Sequence, residues 1–100
     1  MTIEYIGSKA DTMMAEYSAM LERGDTRNTL ARALLAEAEE LAAEARELGN
    51  EEFLASPADA AQISAHRAFL TEQVEAKSGE VLRLHNETFQ EWERFNATQW

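Results

Sequence analysis

Residues 26–48 read TRNTLARALLAEAEELAAEAREL. Wound at about 100° per residue, they predict a long amphipathic helix. Leu30, Leu34, Leu41, Ala45 and Leu48, with Ala31, Leu35, Ala38 and Ala42, fill one broad apolar arc. Glu37, Glu40, Glu44 and Glu47 recur at spacings of three, four and three. That spacing stacks them on a strip of about 80° beside the apolar arc. None of the four has a Lys or Arg three or four positions away. Glu40 and Glu44 repel each other at i, i+4, which costs the helix about 0.2–0.5 kcal/mol. A strip that weakens its own helix is a candidate for a partner's use. The competing reading is a plain solvated face.

The charge around this stretch is concentrated. The chain has 100 residues and a net charge of −10, from 19 acids and 9 bases. Between Glu37 and Asp59 there are eight acids and a single base, Arg46. Phosphate backbones repel such a surface, which argues against direct nucleic-acid binding. A basic partner is favoured instead. The chain lacks cysteine, which removes disulfides and thiolate metal sites and fits a reducing cytosol. No apolar run approaches the ~20 residues of a membrane span, and no leader-like segment opens the sequence. The expectation is a single domain, residues 1–100, in the cytoplasm.

Outward from the central stretch, helix punctuation suggests four helices. Thr2 to Ile6 predict an irregular lead-in or an extra helical turn. Ser8 with Asp11 resembles a helix start, and Ala10, Met13, Tyr17, Met20 and Leu21 keep helical spacing after it. Gly24 and Gly49 mark helix ends, with Asp25 or Thr26 capping the central helix and Asn50 opening a short turn. Phe53 and Leu54 are expected to fold back over the core. Ser56-Pro57-Ala58-Asp59 supplies a cap, a first-turn proline and an acid. The third helix covers residues 57–77, with Ile63, Leu70 and Val74 inward. The fourth covers residues 80–96, with Val81, Leu84, Thr88, Trp92 and Phe95 inward. Ser78-Gly79 predicts a turn or a kink between them. Both segments share one apolar phase, so the alternative is a single long helix of about 60 Å. The fold expected is all-α: a compact antiparallel bundle of about four helices, or one whose last two helices form a kinked long one.

Chemistry-bearing patterns are absent from the sequence. His66 and His85 lie 19 residues apart and match neither the His-Glu-x-x-His nor the Glu-x-x-His metal spacing. The four glycines are isolated, so no phosphate-cradling loop is written. No catalytic residue, cofactor or metal is expected. The aromatic tail Phe89, Trp92, Phe95 and Trp100 suits either a core stripe or an interface, including that of a homodimer.

A small, cysteine-free, strongly acidic, helical chain with an Ala/Glu-rich central helix resembles the small anti-CRISPR proteins of phages. The likeness is to inhibitors of type I-F surveillance complexes. It covers the whole chain in size, charge and helical character, and rests on no motif. It implies binding to basic surfaces of an RNA-guided complex and exclusion of target DNA by charge mimicry. The spacing agrees in order of magnitude. Glutamates at alternating three and four residues advance about 5 Å each along a helix. A DNA strand carries a phosphate about every 3.4 Å. The expected partner-binding residues are Glu37, Glu40, Glu44 and Glu47, extended by Glu51 and Glu52. The expected partner is a basic nucleic-acid-binding protein or ribonucleoprotein complex. The chain itself is expected to be a monomer or a homodimer. The rival readings are a helical phage structural or assembly protein, and an antitoxin-like neutraliser of a basic nuclease.

Overall fold

Two helices account for nearly the whole chain: α1 (Ile3–Leu54) and α2 (Pro57–Ala97). The computed structural model describes residues 3–100, with side chains from residue 9 onward. Ala55 and Ser56 alone join the helices. Ser56 is the N-cap of α2, its hydroxyl accepting from the Asp59 N–H at 3.4 Å, and Pro57 follows at the first helical position. The cap read from the sequence is therefore real, and it is the single reversal of direction among the described residues. The result is an antiparallel hairpin 82 Å long and 18 by 12 Å across. Its radius of gyration is 23.0 Å, against about 13 Å for a compact domain of this length. This overturns the compact four-helix bundle.

The seam explains why. On α1, Tyr17, Gly24, Ala31, Ala38 and Ala45 recur every seven residues, with Met13, Met20, Arg27, Leu34, Leu41 and Leu48 interleaved. On α2, Arg67, Val74, Val81, Thr88 and Phe95 alternate in the same way with Ile63, Leu70, Lys77, Leu84 and Glu91. All of these are buried or half-buried. This is the 3.5-residue rhythm of a coiled coil. Small residues at one α1 position from Gly24 to Ala45 allow close approach. Ala31 is 1% exposed and clusters with Leu34, Val81 and Leu84. A side chain added at Gly24 would already touch Thr88 at 3.7 Å.

The glycines read as stops are not stops. Gly24 and Gly49 lie inside α1, and Ser78-Gly79 lies inside α2 without breaking it. No described residue takes a positive φ. A glycine costs a helix about 1 kcal/mol, whereas burying one leucine returns about 1.5–3 kcal/mol. An unbroken heptad seam therefore outweighs each glycine. The same continuity absorbs Ser8, Asp25, Thr26 and Asn50 into helix interiors. Thr26 Oγ1, read as a cap, donates to the Glu22 carbonyl at 3.0 Å. Of the lead-in, Ile3 to Ile6 are helical and Thr2 lies outside the described residues. Phe53 and Leu54 do not fold back. They stand at the tip of the hairpin, Phe53 88% exposed, because the tight turn leaves no core beyond it.

The open end is the better closed. Tyr17, Trp92 and Phe95 form a three-ring cluster with centroids 5.7–6.3 Å apart. Trp100 packs on Phe95 at 5.3 Å, and its indole N–H donates to the Phe95 carbonyl at 3.3 Å. The last residue is thus docked on its own chain.

Candidate partner-binding face

The acidic strip survives the change of fold. Since α1 continues through Gly49, Glu51 joins Glu37, Glu40, Glu44 and Glu47 on one face of one helix. All five are exposed. Glu40, Glu44, Glu47 and Glu51 make no ion pair or hydrogen bond among the described residues. From Glu40 to Glu51 the strip runs about 17 Å along the axis.

Two expected members are claimed by the second helix. Lys77 Nζ donates to Glu37 Oε2 at 2.7 Å. Arg67 Nη1 lies 3.0 Å from Glu52 Oε2. Glu52 occupies a seam position and is half-buried, so it leaves the strip. Neither pairing is visible in i±3 or i±4 spacing, because both cations come from across the hairpin. Lys77 and Arg67 stand at inward positions of α2. A charged residue on an apolar stripe was the available signal.

The same side of the hairpin carries a denser ionic cluster toward the chain ends. Arg23 bonds Glu91 at 2.7 Å and Glu16 at 3.1 Å. Arg27 also bonds Glu91, approaches Glu87 at 3.5 Å and donates to Thr88 Oγ1 at 3.2 Å. The Glu91 side chain is 10% exposed. Burial pushes its carboxyl up, and the hydrogen bonds from Arg27 and Arg23 outweigh that, holding it below the usual carboxylate range. Arg83 is satisfied within α2 by Glu80 and Glu87. Cations and anions thus pair near the chain ends, while near the tip four carboxylates stand unmatched among the described residues.

An apolar neighbour to the strip also exists. The hairpin register, fixed by Glu37–Lys77 and Gly24–Thr88, sets Phe69 of α2 at the level of Glu40 to Glu47. Phe69 shares the Arg83 side of its helix, two heptads before it, and is exposed. Exposed aromatics are common anchors at protein interfaces. Its spacing from the α2 stripe could have marked it.

No group of His, Asp or Glu able to hold a metal occurs among the described residues. His66 and His85 are both exposed. No helix among the described residues is long and apolar enough to cross a membrane. Compared with known proteins, the chain matches no family model, no curated protein and no solved structure.

Proposed function

We propose that this protein is a non-enzymatic binding inhibitor that docks its acidic strip on a basic nucleic-acid-binding surface. The observation that carries the reading is four carboxylates, Glu40, Glu44, Glu47 and Glu51, in line on an unbroken helix and paired with no cation among the described residues. A Lys/Arg-lined groove binds phosphate by releasing counterions, and fixed carboxylates draw on the same free energy. Held on a coiled-coil rod, they need little ordering on binding. Phe69 supplies the short-range contact that a charge strip lacks. The likeness to phage anti-CRISPR proteins names the first partner to try, a type I RNA-guided surveillance complex in the bacterial cytoplasm, whose target-DNA binding would be blocked.

The test is a quadruple charge reversal, Glu40→Lys, Glu44→Lys, Glu47→Lys and Glu51→Lys, with helix content checked by circular dichroism. Competition with target DNA on the purified complex is measured at about 50 and 200 mM salt, the range over which phosphate-type contacts weaken steeply. The expected result is inhibition by the wild type that fades with salt, and loss of affinity by tenfold or more in the variant. Equal affinity and an equal salt slope in a folded variant would leave the strip a solvated face.

One observation favours a second reading, a helical structural or assembly protein: the opposite face exposes Leu82 and Phe89. That reading expects self-association through this apolar face, not capture of a basic partner. Open-ended polymers in light scattering would favour it over an inhibitor of fixed size.

A further inference from the structure

The side of the hairpin turned away from the acidic strip has its own pattern. Leu35 and Glu44 stand nine residues apart, which is 180° around α1. Met14, Leu21 and Leu35 are spaced by seven and fourteen residues on that side, and all three are exposed. From α2, Leu82 and Phe89 join them, seven residues apart and 69% and 60% exposed. Between the helices runs an open groove of about 470 Å³, lined by Leu21, Gly24, Asn28, Phe89 and Trp92 among others. Gly24 leaves room there because it has no side chain. Large apolar residues in register along a rod, out of phase with the seam, form a second stripe that no described residue covers.

The surface area indicates how much is uncovered. The chain exposes 7406 Å² at 11.3 kDa. A compact monomer of that mass exposes about 5,700 Å². The excess, about 1,700 Å² per chain over the whole rod, gives a scale: two chains that hid it would bury about 3,400 Å², within the range of about 2,000–5,000 Å² typical of obligate homodimers.

We propose that a second copy of this chain covers this face, making a closed two-fold dimer of hairpins with Met14, Leu21, Leu35, Leu82 and Phe89 of each copy at the contact. Charge supports this occupant over a basic one. The strip of four unpaired glutamates lies on the other side, whereas Arg32 and Arg46 flank this stripe among Asp25, Glu39 and Glu75. A two-fold contact returns each apolar residue to the same stripe on its partner. It also turns both acidic strips outward, where two chains of −10 repel least. The inference does not depend on the function proposed above.

The test is sedimentation equilibrium of the full chain across micromolar concentrations, at low and high salt. The expected species has twice the 11.3 kDa chain mass at both salts, since apolar contact is not screened. Leu82→Glu with Phe89→Glu should weaken the dimer about thirtyfold or more, while Glu44→Lys with Glu47→Lys should leave it unchanged. If the apolar-face variant loses helix, the wild-type unfolding midpoint must rise with protein concentration, as it does when folding and association are linked. A monomeric wild type, a variant that stays dimeric, an open-ended polymer, or unfolding of the variant with a concentration-independent wild-type midpoint would each overturn the proposal.

Discussion

Near the chain ends the seam is closed by Tyr17, Trp92, Phe95 and Trp100 and by the arginines that share Glu91. Near the tip it is closed by Ala38, Ala45, Leu48, Ile63 and Leu70, with the pairs Glu37–Lys77 and Glu52–Arg67 at its margins. The first half buries rings and a near-buried carboxylate. The second buries mainly small and aliphatic side chains and holds four unmatched acids on its surface. One half therefore anchors the hairpin, and the other presents charge. The anchored half must carry most of the free energy, because repulsion along the strip and thin packing both weaken the tip.

The largest expected effect tests that inequality. Trp92→Ala should lower stability by about 2–4 kcal/mol, through lost area and lost ring–ring contact. Ile63→Ala, its counterpart near the tip, should cost only about 1–2 kcal/mol. Denaturant midpoints measure both. Equal losses would erase the distinction between the halves, and native-state hydrogen exchange should find the tip opening first.

A smaller effect follows from acid. The folded pKa of Glu91 lies below its unfolded value, so the unfolded chain binds more protons as pH falls. Its stabilisation is full above about pH 4.3, the unfolded carboxylate value, and is lost as pH falls through the folded one. Glu91→Gln should cost about 1.5–3 kcal/mol at neutral pH, the range for hydrogen bonds to a charged group. It should also flatten the fall in melting temperature between pH 5 and pH 3. Parallel curves for wild type and variant would show that acid acts elsewhere.

The smallest effect has the opposite sign. Gly79 is exposed, and an added Cβ meets nothing within 4 Å. Gly79→Ala should raise stability by about 0.5–1 kcal/mol. Calorimetry would detect it, and a loss instead would mean that the helix needs a yielding point there. Added protection confined to the tip would sharpen the division between the two halves.

Much of this was legible in the residues. The cap at Ser56-Pro57, the inward positions Leu70, Val81 and Leu84, and the face bearing Glu40, Glu44 and Glu47 all follow from local chemistry and helical period. The number of helices was not legible from punctuation. Gly24, Gly49 and Gly79 have the composition of helix ends, and only the seven-residue phase running through them reveals a continuous rod. The exclusion of Glu52 and the partial loss of Glu37 were hidden for a related reason. Their cations, Arg67 and Lys77, are 15 and 40 residues away in sequence and become neighbours only once the hairpin register is known.

Because both arms keep one seven-residue rhythm, the hairpin can change length only in matched steps. Deleting a heptad from each arm would shorten the rod by about 10 Å and leave the remaining layers facing one another. Deleting a single residue from one arm would swing every later layer of that arm by about 100°, turning alanines toward water and acids toward the seam. Insertions and deletions tolerated by this molecule should therefore arrive as opposed pairs of seven, which makes its span a quantised trait.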